Sequence, residues 1–173
     1  MANIGIIGAG SWGIALSILL YNNGNKVTVW SVIEDEIKML NEKREHERCL
    51  PGVKLPDDMV FTTDLEHTIK NAELLVLAVP SVYTRSTSKS MSGYVREGQI
   101  IVNVAKGIEE NTLKTLTETE CYSCHLQEFV FIVSVLDTAL IIVIVIKVIV
   151  VTHITVQTVI KHTVRHIVTI IEV

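Results

Sequence analysis

At 173 residues the chain has room for one domain, or for a domain with an appendage. A formal net charge of −4 and a pI near 5.8 exclude a surface of clustered lysine and arginine, so no nucleic-acid partner is expected. Met1–Gly5 has no basic stretch leading into an apolar run, so no export signal is expected, and Cys49, Cys121 and Cys124 are expected as reduced thiols of a cytoplasmic protein.

Asn3–Ile7 is a short apolar run ending in glycines, which predicts a buried strand. Apolar spacing over Trp12–Tyr21 predicts a helix, stopped by Asn22-Asn23-Gly24-Asn25. Val27–Trp30 predicts a second strand, and Ile33, Ile37 and Leu40 mark a second helix. Lys43–Asp58 is polar, holds two of the three prolines and is expected as a long loop. Met59–Thr62 follows as a third strand, and Thr63 with Glu66 has capping-box spacing for a short helix to Lys70. Leu74–Val79, stopped by Pro80, is the clearest buried strand of the chain. Val82–Tyr94 is expected as a weak helix, rich in serine and threonine, and Ile100–Val104 as the fifth strand. Asn111 is placed to cap a helix running toward Glu118. Alternating strands and helices at this spacing predict an α/β fold, a Rossmann-type parallel sheet of about five strands with right-handed crossovers.

Gly8-Ala9-Gly10-Ser11-Trp12-Gly13 stands between the first strand and the first helix, the context in which Gly-x-Gly-x-x-Gly signals a dinucleotide site. Gly8 would allow the tight turn, Gly10 the approach of a pyrophosphate, and Gly13 close helix–strand packing, with free N–H groups of the helix facing the phosphates. At the end of the second strand, where an acid would bind the ribose of NAD, stand Ser31 and Val32. Neither is an acid for NAD or an arginine for NADP, and the nearby Glu34 reads as an ordinary first-turn helix acid. The cofactor is therefore expected as NAD or NADP, with the choice open.

These motifs, with Leu50-Pro51-Gly52, Leu77-Ala78-Val79-Pro80-Ser81 and Asn103-Val104-Ala105-Lys106-Gly107-Ile108-Glu109, resemble in order and spacing the bacterial NAD(P)-dependent glycerol-3-phosphate dehydrogenases. The resemblance covers residues 1–118. It implies a cytoplasmic oxidoreductase of glycerophospholipid metabolism, interconverting dihydroxyacetone phosphate and glycerol 3-phosphate by hydride transfer. It further implies that Ser11 and Trp12 contact the cofactor and that Pro80 lies near the nicotinamide. Tyr83 would stand beside the cofactor, and Lys106 would reach both cofactor and substrate. A cation at the end of the fifth strand also suits a phosphorylated substrate on chemical grounds. Where the family has a basic residue for the NADP phosphate, this chain has Val32.

After about residue 118 the resemblance stops. Residues 121–173 carry six charges and neither glycine nor proline, and isoleucine and valine fill 24 of the last 45 positions. Average usage would place roughly six glycines and prolines in such a stretch. Family members continue with a sixth strand, a Gly-Pro-Ser-His-type segment and a helical substrate domain carrying the acid/base lysine, and none of these is legible here. The expectation is a dinucleotide-binding domain over 1–118 and an irregular non-family tail over 119–173, read as a frameshift product. With no family acid/base lysine present, no catalytic residue is assigned, and the chain is expected to bind dinucleotide weakly and to lack turnover alone. The alternative is a non-catalytic nucleotide-binding module with a membrane- or partner-binding tail. Cys121-Tyr122-Ser123-Cys124-His125 matches a haem-attachment pattern, and with His162 and His166 a loose zinc set. The wide spacing and the lack of an export signal favour accidental cysteines and no metal. Phe129–Val151 is long enough for a bilayer, but Asp137 and Lys147 within it argue against a membrane segment.

Overall fold

The computed structural model describes residues 1–105, 109, 112, 114–116 and 119, and the backbone of 131–134, all within the compact unit Met1–Leu136. The order is β1 (Asn3–Ile7), α1 (Ser11–Asn22), β2 (Lys26–Trp30), α2 (Glu34–Lys43), β3 (Glu45–His46) and β4 (Leu50–Lys54). It continues with β5 (Val60–Thr62), α3 (Leu65–Asn71), β6 (Leu74–Leu77), a 3₁₀ turn (Ser81–Tyr83), α4 (Thr84–Met91), β7 (Ile100–Asn103) and β8 (Phe131–Ser134). Six strands form one parallel sheet in the order β5-β2-β1-β6-β7-β8. The order reverses between β1 and β6, and that reversal opens a crevice at the carboxyl edge of the sheet.

The central strands form because their residues can be buried on both faces. All four residues of β6, Leu-Leu-Val-Leu, are buried between β1 and β7, the signature of a covered parallel strand. Ile7, Leu75, Leu77 and Ile101 pack with Ile69 and Met91, which fixes α3 and α4 against the sheet. Two buried polar side chains in this layer are satisfied by backbone carbonyls. Gln99 Nε2 donates to the carbonyls of Ile69 and Ala72, both at 2.9 Å, and Trp30 Nε1 donates to the Thr63 carbonyl at 2.9 Å. Helix α1 stops as expected, with Asn23 as its C-cap and Gly24 at φ 83°.

Several local expectations are corrected. The expected loop over Lys43–Asp58 contains the antiparallel pair β3–β4. Its lock is ionic and local: Glu45 accepts from the Gly52 N–H at 2.8 Å and pairs with Lys54 at 2.8 Å. The Lys54 ammonium, then the Gly52 N–H, hold the Glu45 carboxyl below the usual carboxylate range. Asp64, one residue beyond the expected Thr63, caps α3 by accepting from the His67 N–H at 2.8 Å. The helix expected over Val82–Tyr94 starts with the 3₁₀ turn and ends at Met91.

The largest difference is β8. Phe131–Ser134 pairs with β7 in register from Ile100↔Phe131 to Asn103↔Ser134, so the tail supplies a sixth parallel strand to a sheet expected to have five. The bilayer-length run therefore contains a sheet strand; its remainder, Cys121, Cys124, Asn111 and the tail histidines lie outside the described residues. Among the described residues no helix is long and apolar enough to cross a membrane, and no group of side chains is arranged to hold a metal ion.

Candidate functional site

Turns leaving β1, β2, β6 and β7 converge on a cleft of about 1020 Å³ at the carboxyl edge of the sheet. It is lined by Gly8–Trp12 after β1, Ser31 and Val32 after β2, Ala78–Pro80 after β6, and Val104 and Ala105 after β7. Hydrogen bonds beyond the strands hold these turns together. The Gly8 N–H donates to the Trp30 carbonyl at 2.9 Å, the Ala78 N–H to Ile7 at 2.8 Å, and the Val104 N–H to Leu77 at 3.0 Å.

The three glycines meet three different physical demands. Gly8 sits at φ 116°, where side chains are strained, and its α-carbon faces the Ala78 carbonyl. Gly13 is buried against the same turn, where a Cβ would overlap the Gly8 carbonyl oxygen. It therefore sets helix–strand packing and does not line the cleft. Gly10 is different: its backbone is extended (φ −64°, ψ 177°), and a Cβ there would meet no protein atom within 4 Å. The space beside Gly10 is open on the cleft side.

Gly10 is also the N-cap of α1, and no side chain caps it. The first intrahelical bond runs from the Ile14 N–H to the Gly10 carbonyl at 2.9 Å. The N–H groups of Ser11, Trp12 and Gly13 precede it, unsatisfied within the helix, and the first turn contains no acid. Their summed dipole makes this end of α1 receptive to an anion. Trp12 lines the cleft, and its buried indole Nε1 has no hydrogen-bond partner among the described residues. At the end of β7, Asn103 is 1% exposed; its Oδ1 accepts from the Ala105 N–H at 2.8 Å while its Nδ2 has no partner among the described residues. The open, uncapped helix end fits a polar, anionic ligand.

The other expected residues divide clearly. Ser31 is buried, whereas Val32 is 75% exposed at the rim. Pro80 and Tyr83 line the opposite wall, both exposed. The cleft thus brings together Gly8, Gly10, Ser11, Trp12, Ser31, Val32, Pro80 and Tyr83. Lys106 lies outside the described residues, although its neighbour Ala105 lines the cleft. Sequence reasoning missed Glu36, which reaches the cleft from α2; Glu34, the acid it considered, does not line it.

A clamp joins α4 to Glu109. Arg85, in the first turn of α4, donates from Nε to Glu109 Oε1 at 2.5 Å and from its terminal nitrogen to Oε2 at 2.6 Å, and Thr112 also donates to that carboxylate. The Arg85 guanidinium, then the Thr112 hydroxyl, pull the Glu109 carboxyl down to about 2. A depressed folded-state pKa stabilises the fold above the unfolded value, near 4.5, and that contribution is lost as pH falls toward 2. The stability difference between wild type and Arg85→Gln, read as the urea midpoint, should therefore be constant from pH 5 to 8. It should shrink on acidification and be gone near pH 2.

Comparison with known proteins agrees with this geometry. Residues 3–121 match the family model described as the NAD-dependent glycerol-3-phosphate dehydrogenase N-terminus. A glycerol-3-phosphate dehydrogenase [NAD(P)+] of Agathobacter rectalis is 65% identical over 118 residues, covering 68% of this chain and 35% of that protein. The protein of the same name from Fusobacterium nucleatum is 48% identical over the same shares. The crystal structure of glycerol-3-phosphate dehydrogenase from Coxiella burnetii superposes with a TM-score of 0.71 at 26% identity, over 77% of this chain and 40% of that one. The chain thus spans about a third of the length of the relatives it matches. With a Rossmann-type sheet, a glycine-cradled cleft and a family match over most of its length, the chain belongs to the NAD-dependent glycerol-3-phosphate dehydrogenase family.

Proposed function

We propose that this chain is the cofactor-binding part of an NAD(P)-dependent glycerol-3-phosphate dehydrogenase, and that alone it binds dinucleotide without turning over substrate. The observation that carries the first half is the cleft itself: an uncapped α1 N-terminus beside the open space at Gly10, with Trp12 on the cleft wall. In this reading the backbone N–H groups of Ser11 and Trp12 bind the pyrophosphate and the Trp12 side chain contacts the ligand. Ser31 and Val32 border the adenosine ribose, and Pro80 and Tyr83 flank the nicotinamide end. Lys106 is assigned to cofactor and substrate by its position in the family motif. When bound, the nicotinamide supplies a hydride donor or acceptor for the dihydroxyacetone phosphate and glycerol 3-phosphate pair.

The second half follows from what the described residues do not bring together. Hydride transfer requires the substrate carbon held at near-attack geometry and a positioned acid or base for its oxygen. Among the described residues lining the cleft there is no lysine or histidine to serve that role. We place the functional division at residue 118, with the family's substrate-binding half absent from 119–173. A cytoplasmic location is part of the proposal, and the exposed free thiol of Cys49 suits a reducing compartment.

Titration of the purified chain with NADH and NADPH, followed by nucleotide fluorescence, should show saturable binding. A parallel assay of dihydroxyacetone phosphate reduction at 340 nm should show no enzyme-dependent rate. Measurable turnover would overturn the claim that the chain is inactive alone, and absence of binding to either nucleotide would overturn the cofactor site.

A further inference from the structure

The end of β2 carries no acid, yet the cleft contains one. Glu36 projects from the first turn of α2 back to Ser31, whose hydroxyl donates to Glu36 Oε2 at 2.5 Å. The other oxygen, Oε1, faces His46 Nε2 at 3.0 Å. His46 is 2% exposed and belongs to β3, the hairpin strand absent from the sequence-based expectation. Its Nδ1 accepts from the Cys49 N–H at 3.2 Å, which leaves Nε2 to donate to the carboxylate. The Ile33 N–H donates to Ser31 Oγ at 3.2 Å and closes the chain of bonds. The Glu36 side chain, 16% exposed, is therefore held from both oxygens, by Ser31 and His46, at the cleft wall.

We propose that Glu36, anchored by His46, makes this cleft select the dinucleotide whose adenosine ribose carries a free 2′-hydroxyl and reject one carrying a 2′-phosphate. The inference rests on the cofactor reading above and adds the residue that decides between the two nucleotides. The adenosine ribose of a dinucleotide lies beyond the end of the second strand in such sheets. There a hydroxyl can donate to the spare lone pairs of a carboxylate, whereas a phosphate meets a like charge in a partly desolvated wall. No arginine or lysine lines the described part of the cleft to offset that repulsion. The fixed donors matter because a carboxylate free to swing into solvent would yield to the phosphate. His46 is therefore a positioning residue.

Dissociation constants for NADH and NADPH on the wild-type chain and on Glu36→Gln test this. The wild type should favour NADH by roughly tenfold or more, the scale of one nearby like-charge contact. Glu36→Gln should narrow the ratio to within about threefold, chiefly by tighter NADPH binding. Glu36→Ser, read in the same way, replaces Gln if that variant lacks the wild-type circular dichroism spectrum. Equal wild-type affinities, or an unchanged ratio in the folded variant, would overturn the role of Glu36 while leaving the dinucleotide site intact. Failure of both nucleotides to bind would overturn the site and the inference together.

Discussion

Gly8→Ala should destabilise the chain by about 4 kcal/mol, the sum of two independent costs. The first is conformational: Gly8 lies at φ 116°, a region in which an L side chain costs about 1–3 kcal/mol. The second is steric. A Cβ at this position would lie 2.7 Å from the Ala78 carbonyl oxygen and 2.9 Å from its carbonyl carbon, and forcing atoms into a packed site costs about 1–3 kcal/mol. Neither neighbour can give way cheaply. The Gly8 N–H is committed to Trp30 at 2.9 Å and the Ala78 N–H to Ile7 at 2.8 Å, so a shift would break ladder bonds on both sides of β1. In a thermal melt the expected loss is roughly 10–15 °C. A variant melting within a few degrees of wild type would show that the turn is not packed against β6 in solution.

The elements that were legible in the sequence are those whose burial is two-sided. Leu74–Leu77 reads as a covered strand, because four consecutive apolar residues have no solvent face to offer and Pro80 ends the run. The glycine loop was legible for a related reason: Gly8 and Gly13 satisfy close backbone approaches that no other residue tolerates. The hairpin β3–β4 was not legible, because it is held by Glu45, Gly52 and Lys54, residues that read equally well as a solvated loop. Pro51 deepened the misreading, although proline is tolerated in a short edge strand. In the tail, isoleucine and valine recur without breakers, so nothing local distinguishes Phe131–Ser134 from its neighbours. Pairing with β7 supplies that distinction.

The same contrast explains why Glu36 escaped notice. Helical periodicity places Glu34, Asp35 and Glu36 together in the first turn of α2, where all three read as complements to the helix dipole. Which of them turns toward the cleft is decided by Ser31 behind it and by His46 on the hairpin, ten residues away in sequence. A site residue chosen by a tertiary partner leaves no mark in local spacing. The resemblance carried by Ser11, Trp12 and Pro80 located the cleft, and the charge inside it came from a residue outside every quoted motif.

Gly10→Val should produce the reverse of Gly8→Ala: a nearly native fold with the proposed dinucleotide site blocked. The backbone at Gly10 is extended, a conformation valine adopts without strain, and an added Cβ meets nothing within 4 Å. Loss of a favoured N-cap residue costs about 1 kcal/mol, which corresponds to a few degrees in the melting temperature. The branched side chain would instead occupy the open space over the Ser11, Trp12 and Gly13 N–H groups. Hydrogen bonds from such donors to a charged oxygen contribute about 1.5–3 kcal/mol each. Losing one or two of them should weaken NADH binding roughly a hundredfold. Fluorescence titration beside a thermal melt reads both quantities on one preparation. If Gly10→Val bound NADH as the wild type does, the pyrophosphate could not lie against the start of α1. If it melted as early as Gly8→Ala, the space beside Gly10 would be filled by protein in solution, and the glycine would be structural in the same sense as Gly13.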